Sequence, residues 1–288
     1  MKIGTFATFM SPIATPQFIS DFGRRVEEAG LDSIWMGEHV VLFDRMEFPY
    51  PGSRDGKIPV PAGGGMLDPV ATFGFLAAAT KHIRFGTGIT LISQRNPIYT
   101  AKEFATLDWL SGGRIDFGIG VGWCKEEVIA SGYSWSDRGA RSDEFLELVN
   151  RLWTQDVASF QGKHFQVADC RLDPKPVQAP LPVIVGGHSG AALRRAARYG
   201  TGWYGFAISP EQTAPILKRL DAALIAEGRS RAGFEIVITP PYRVDEDMLR
   251  AFADLGVDRV VAQQGSQKPE AVTAKLQELE RFARVAAG

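Results

Sequence analysis

Cysteine and histidine are scarce in this chain of 288 residues. Its two cysteines, Cys124 and Cys170, form no C-x-x-C pair, and two thiols cannot build a disulfide framework in so long a chain. A reducing, cytoplasmic location is therefore expected. The 4 histidines show no H-x-H or H-x-x-x-H spacing, so we expect no catalytic metal.

Long apolar runs and an excess of charge of one sign are also missing. No stretch approaches the roughly 18 apolar residues that a membrane span needs, and the first residues lack the apolar core of a signal peptide. Lys and Arg total 32 and Asp and Glu total 33, giving a net charge of −1, which provides no field to attract nucleic acid or an anionic membrane. We expect a soluble protein with a small molecule as its partner.

Short apolar runs of the strand type recur along the chain, with helical stretches between them. These runs are residues 2–9, 33–36, 83–91, 115–121, 182–185, 202–207, 234–239 and 259–262. Cap residues followed by proline predict helix starts at Thr15-Pro16, Asp68-Pro69, Asn96-Pro97 and Ser209-Pro210. This β–α alternation predicts an α/β fold, a (β/α)8 TIM barrel, forming a single domain over residues 1–288.

Two segments depart from the simple repeat. Residues 40–67 are rich in proline and glycine and follow the second strand, which predicts a loop insertion on the functional rim. It is either a lid or a plain surface excursion. Residues 159–167, with Gly162-Lys163 between two apolar stretches, predict a small structural hairpin before the fifth barrel strand.

Polar residues directly follow the second predicted strand. Glu38 and His39 lie where barrel enzymes place catalytic groups, and His39 is the best acid/base candidate. The alternative is a polar residue that satisfies the loop backbone. Serine hydrolase chemistry is not indicated, because the segment 187–191 fails the G-x-S-x-G pattern at its last position.

Glycines mark the next two strand ends. Gly86 and Gly88 lie within the third strand, where glycine indicates either a bulge near a ligand or simply a twisted strand. The run 118–122 ends the fourth strand without the spacing of a dinucleotide fingerprint. The lack of side chains in this run leaves space for a large, flat ligand.

The fifth strand leads through Gly186, Gly187, His188 and Ser189 into a helix. Free amides at a helix start bind anions, and Ser189 would add a hydroxyl donor for a phosphate. The alternative is a plain turn with Ser189 as the helix cap. Together, these strand ends suggest a planar cofactor that carries a phosphate.

Several motifs occur together in one order. They are residues 30–39 (GLDSIWMGEH), 84–89 (RFGTGI) with 95–97 (RNP), 107–123 (LDWLSGGRIDFGIGVGW), 174–178 (PKPVQ) and 186–189 (GGHS). In these motifs the chain resembles the luciferase-like monooxygenase superfamily, most closely its branch of coenzyme F420-dependent oxidoreductases.

The resemblance implies a (β/α)8 barrel that holds reduced FMN or a reduced deazaflavin at its carboxyl rim. It implies a non-prolyl cis peptide at Gly88-Ile89, and a phosphate tail held by Gly122-Trp123 and by residues 186–190, which are Gly186, Gly187, His188, Ser189 and Gly190. His39 would be the proton-transfer residue. We assign Glu38 to orienting His39 or the rim loop.

The cofactor decides the reaction. FMN-using relatives often place an arginine in the loop after the fourth strand, and Val121-Gly122-Trp123 offers none. We therefore expect coenzyme F420 and hydride transfer to or from a small organic substrate. The alternatives are an FMN-dependent two-component monooxygenase, with a separate reductase as partner, and a non-catalytic flavin-binding relative. A homo-oligomer is also expected.

Overall fold

The computed structural model describes residues 1–50, 53, 55–61, 63–241 and 243–287. Strands and helices alternate along these residues. The strands are β1 (Lys2–Phe6), β2 (Ser33–Met36), β3 (Arg84–Thr87), β4 (Thr90–Leu91), β5 (Ile115–Gly120), β6 (Ala158–Gln161), β7 (Gln166–Cys170), β8 (Val183–Gly186), β9 (Gly202–Phe206), β10 (Glu235–Thr239) and β11 (Arg259–Gln263). The helices are α1 (Pro16–Glu28), α2 (Pro69–Ala79), α3 (Pro97–Ser111), α4 (Lys125–Ala130), α5 (Arg138–Thr154), α6 (Gly190–Tyr199), α7 (Pro210–Ala226), α8 (Glu246–Asp254) and α9 (Pro269–Ala287).

The parallel strands close into a barrel. Hydrogen-bonded neighbours follow the order β3, β2, β1, β11, β10, β9, β8 and β5, and β5 also pairs with β3. This ring, with helices in the connections, confirms the predicted (β/α)8 TIM barrel. The antiparallel pair β6–β7 is the hairpin expected before the fifth barrel strand, β8.

Four helices begin at the predicted pairs of cap residue and proline. The side chains of Thr15, Asp68, Asn96 and Ser209 each accept a hydrogen bond from a backbone amide in the first turn of α1, α2, α3 and α7. At α7 the side-chain oxygen of Gln212 accepts a hydrogen bond from the amide of Ser209, which completes a capping box. These caps start each helix close behind the strand or loop that precedes it.

The third barrel strand, predicted over residues 83–91 with either a bulge or a twist at its glycines, is interrupted. The peptide bond between Gly88 and Ile89 is cis, as the family resemblance implies, and it separates β3 from β4. β3 pairs with β2 and β5, whereas β4 continues along β5 alone. Of the two interpretations of Gly86 and Gly88, the bulge is the correct one.

The amino end of the barrel is closed by charged side chains. The guanidinium of Arg259 is buried and lies 2.5 Å from Asp116, 3.0 Å from Asp32 and 2.9 Å from Glu235. Arg84 pairs with the other oxygen of Asp116. This charged cluster fills the amino end of the barrel, opposite the carboxyl ends of the strands.

Candidate active site

A cavity of about 1070 Å³ opens at the carboxyl ends of the barrel strands. The predicted site residues in its lining are Glu38, His39, Gly88, Ile89, Gly122, Trp123, Gly186, Gly187, His188 and Ser189. Gly190 is outside that lining and is the first residue of α6. Residues from four separate strand ends therefore surround one space.

The bulge between β3 and β4 forms one wall of the cavity. A Cβ atom on Gly88 would lie 2.9 Å from the ring of Phe6, so the wall has no room for a side chain there. The side chain of Ile89 lies over Gly120, where a Cβ would come within 1.9 Å of it. Part of the room that we expected from the run 118–122 is thus filled by Ile89.

Glu38 is buried and supports that wall. Its carboxylate accepts hydrogen bonds from the amide of Leu91 at 2.7 Å and from Nε of Arg95 at 2.8 Å. Arg95 in turn pairs with Glu103 at 2.8 Å. None of the contacts of Glu38 in the described part of the chain reaches His39. Of the two roles assigned to Glu38, orienting His39 or orienting the rim loop, its contacts with Leu91 and Arg95 agree with the second.

His39 has a different carboxylate partner. Its Nδ1 lies 2.9 Å from Oε2 of Glu127, and Oε1 of the same carboxylate accepts a hydrogen bond from the amide of Val40 at 2.6 Å. Glu127 is in the first turn of α4, and its side chain is fully buried. The sequence did not single out Glu127, because acidic residues are common in the first turn of a helix and so give no sign of a functional role.

Aromatic side chains enclose the ring of His39. Its centroid lies 5.8 Å from that of Trp123 and 6.5 Å from that of Tyr50, which belongs to the predicted insertion. At its other end the insertion is tied to the segment after β1 by an isolated antiparallel bridge between Met10 and Met66. Residues 51, 52, 54 and 62 of the insertion lie outside the described residues.

The cavity has one apolar side and one polar side. The segment after β1 and the insertion contribute apolar side chains, namely Phe9, Met10, Ile13, Ile58, Val60 and Met66. The last residue of β11, Gln263, and the turn between β11 and α9 contribute polar side chains, those of the turn being Gln264, Ser266, Gln267 and Lys268. A bound molecule with an apolar body and a few polar groups fits this arrangement.

The turn from β8 into α6 has the geometry of an anion site. Gly187 has a positive φ of 110°, which favours glycine, and the hydroxyl of Ser189 caps α6 by accepting from the amide of Ala192 at 3.1 Å. The first amides of a helix have no acceptor within the helix and point outwards. The two interpretations of Ser189, as a helix cap and as part of a phosphate site, are therefore compatible, because Ser189 caps α6 next to amides that have no partner within the helix.

Two arginines stand beside this helix start. A Cβ on Gly190 would lie 3.4 Å from Nη1 of Arg194 and 4.0 Å from Nη2 of Arg219. Burial, and then the charge of Arg219, lower the pKa of His188 below its usual value. Sequence analysis found no arginine in the loop after the fourth strand, and it missed these two, which the fold brings from α6 and α7.

Metal ligands do not converge in the described part of the chain. No group of three or more His, Cys, Asp or Glu side chains there is placed to hold a metal ion. None of the described helices combines the length and apolar character of a membrane span.

A closed barrel with a large cavity at its carboxyl rim and a carboxylate-held histidine in the lining is the architecture of a TIM-barrel enzyme. The chain belongs to the luciferase-like monooxygenase family, whose profile matches residues 1–286. The family and the enzyme class predicted from the sequence are thereby confirmed.

Known relatives include proteins with both deazaflavin and oxygenase names. An F420-dependent glucose-6-phosphate dehydrogenase of Amycolatopsis mediterranei is 30% identical over 192 residues, 65% of this chain and 53% of that protein. The structure of the coenzyme F420-dependent tetrahydromethanopterin reductase of Methanopyrus kandleri superposes with a TM-score of 0.72 at 17% identity, covering 96% of this chain and 97% of that one. The monooxygenase RslO1 of Streptomyces bottropensis gives 0.68 at 24% identity, covering 100% and 82%. The two structures share the fold.

Proposed function

We propose that this protein is an oxidoreductase that transfers a hydride between a deazaflavin, coenzyme F420, and a small organic substrate. The observation that carries the proposal is the joint placement, around one cavity, of His39, the bulge at Gly88 and the start of α6. These three features serve proton transfer, ring binding and phosphate binding.

The residues present fit such a cofactor. A deazaflavin supplies a planar ring that gives or takes a hydride. Gly88 and Ile89 line the cavity, and the absence of a side chain on Gly88 suits close contact of its backbone with a flat ring. Gly122, Trp123 and the turn 186–190 would hold the phosphate tail, with the amides of α6 as donors.

The deazaflavin is preferred to FMN because of the charges beyond the helix start. FMN ends at its phosphate, whereas the tail of coenzyme F420 continues into carboxylates. Arg194 and Arg219 lie beside the start of α6 and are exposed, so they can pair with carboxylates of a tail that continues beyond the phosphate. The F420-dependent name of the Amycolatopsis mediterranei relative supports the same choice.

His39 would move the proton that accompanies the hydride. Oxidation of a substrate alcohol releases a hydride from its C–H bond and a proton from its O–H group. A ring nitrogen of His39 would take that proton, or return it when a carbonyl is reduced, while the bound cofactor would supply the matching hydride chemistry. The apolar side chains after β1 and in the insertion exclude water from that step. Glu38 keeps the bulge and Arg95 in place.

A binding titration of the purified protein against reduced coenzyme F420 and reduced FMN tests the proposal. We expect F420 to bind at least about tenfold more tightly, a difference of about 1.4 kcal/mol. Tighter binding of FMN, with oxygen consumption in the presence of substrate, would instead establish the two-component monooxygenase. Binding without turnover of any alcohol or carbonyl compound would indicate the non-catalytic relative.

Three further expectations remain predictions. They are a separate reductase that supplies reduced cofactor, a homo-oligomeric state and a cytoplasmic location.

A further inference from the structure

We infer that Glu127 is a positioning residue that fixes the proton of His39 on Nδ1 and so leaves Nε2 free to accept or return the substrate proton. The inference rests on the proposed function for its catalytic consequence. The tautomer itself follows from contacts within this chain.

The carboxylate of Glu127 needs donors because it is buried. Its side chain has no exposed surface, and each oxygen has a near partner, Nδ1 of His39 at 2.9 Å and the amide of Val40 at 2.6 Å. An ionised carboxylate can only accept hydrogen bonds. Since a buried charge without donors is costly, Nδ1 of His39 must carry a proton.

A proton on Nδ1 determines what the opposite nitrogen can do. In a neutral imidazole the other nitrogen, Nε2, then holds a lone pair. His39 lines the cavity, and its side chain is only 12% exposed, so the ring is held in place by its carboxylate and by Trp123. An oriented Nε2 is ready to take a substrate proton, and the imidazolium formed is stabilised by Glu127.

Glu126 provides a matched control on the same turn of α4. Its Oε1 accepts a hydrogen bond from the amide of Glu47 at 2.8 Å, so it also ties the insertion to α4. None of its described contacts reaches His39. A Glu126→Gln change therefore perturbs the contacts of Glu126 with Glu47 and Cys124. Glu127→Gln instead perturbs the contacts of Glu127 with Val40 and His39.

The test measures the His39 tautomer and turnover in the same set of variants. The 4 histidines give few ring signals in ¹⁵N-labelled protein, and the signal lost in His39→Asn identifies residue 39. At a pH where this ring is neutral, we expect Nδ1 protonated in the wild type and a shift towards the Nε2-protonated form in Glu127→Gln. Glu126→Gln should leave the signal unchanged.

The kcat values of the variants test the catalytic part of the inference. We expect Glu127→Gln to lower kcat by about 10²-fold, within the range for a positioned acid or base, with KM and cofactor affinity changed less than about threefold. Glu126→Gln should retain kcat within about twofold, since it loses no contact with His39.

The wild-type spectrum decides the tautomer even if Glu127→Gln does not fold. A neutral wild-type ring protonated on Nε2 overturns the inference, and so does equal loss of kcat in both glutamine variants. If the ring behaves as expected but no F420-dependent turnover is found, the proposed function fails and the Glu127–His39 pair stands.

Discussion

Glu38 and Glu127 are both buried carboxylates near His39, and they hold different parts of the site. Glu38 binds the amide of Leu91 and the guanidinium of Arg95, so it supports the cavity wall. Glu127 binds the ring of His39 itself. Substitutions at the two positions should therefore have separable effects.

His39→Asn tests whether the histidine moves a proton. We expect the chemical step to slow by about 10²-fold or more, because a positioned acid or base contributes that much, while cofactor affinity changes less than about tenfold. Single-turnover oxidation of bound reduced cofactor by substrate, beside equilibrium cofactor binding, measures both quantities.

The control for this change is Glu38→Gln, which should slow the step less because Glu38 does not reach the ring. If His39→Asn weakens cofactor binding and leaves the chemical rate intact, His39 is a cofactor contact and has no acid/base role.

At the level of single residues, sequence position predicted part of the site. His39 was found because it follows a strand on the catalytic rim, which is a local property. Glu127 was not found, because its contact joins residues 88 positions apart, and only the closed barrel brings them together. Arg219 was missed for the same reason.

In the proposed function, the start of α6 is the element that would hold the phosphate of the cofactor. Arg219→Gln removes one cation beside that helix start, and we expect the affinity for reduced coenzyme F420 to fall by about tenfold, the effect of one charge-assisted hydrogen bond. Arg198→Gln, in the last turn of α6, is the control and should bind normally. Titration in low salt measures both; equal affinities in wild type and Arg219→Gln would exclude an anion contact at Arg219.

The pKa of His188 tests the position of the Arg219 charge without any ligand. Burial and the charge of Arg219 lower the pKa of His188, so removing Arg219 should raise it while the effect of burial remains. A proton NMR titration of Arg219→Gln checks the direction, and an unchanged His188 pKa would contradict the closeness of these two groups.

Helix starts were predictable where the third strand was not. A cap residue such as Asp68, followed by proline, satisfies the first amides locally, so sequence alone places the helix. The break after Thr87 lies where Gly88 packs against the ring of Phe6, which comes from another strand. Apolar periodicity continues through residues 83–91, so the glycines and the family resemblance were the signs of the break.

At the scale of the whole molecule, charge pairing closes the barrel opposite the site. Burial alone would raise the pKa of Asp116, but Arg259 and Arg84 lower it below the ordinary value. A carboxyl whose pKa is lowered by folding stabilises the folded state at pH values above its pKa in the unfolded chain, about 3.9. This contribution is lost as the pH falls through the pKa of the folded state.

Asp116→Asn should therefore lower the free energy of unfolding at neutral pH by about 3–5 kcal/mol, because the buried Arg259 loses one of its three carboxylate partners, the one at 2.5 Å. The difference from the wild type should shrink as the pH falls below about 4, because this carboxyl then takes up protons in the unfolded chain while the folded state still resists protonation. Urea unfolding at several pH values measures it.

Glu235→Gln is the comparison in the same cluster. Burial raises the pKa of Glu235 despite the attraction of Arg259, so its stabilising contribution is present at low pH and declines as the pH rises through the folded value. We expect a smaller loss at neutral pH than for Asp116→Asn. A larger loss would show that Glu235, and not Asp116, is the main partner of Arg259.

The insertion between β2 and α2 has a consequence for how this protein can change over time. It is attached at Val40 through Glu127, at Glu47 through Glu126 and at Met66 through Met10, and its described residues between these points contribute to the cavity lining and add no strand to the barrel. Insertions, deletions and substitutions between Glu47 and Met66 should alter the shape offered to a substrate while the barrel, the charged cluster around Arg259 and the start of α6 stay intact. New substrate ranges can thus arise by exchange of this one segment, with little risk to folding.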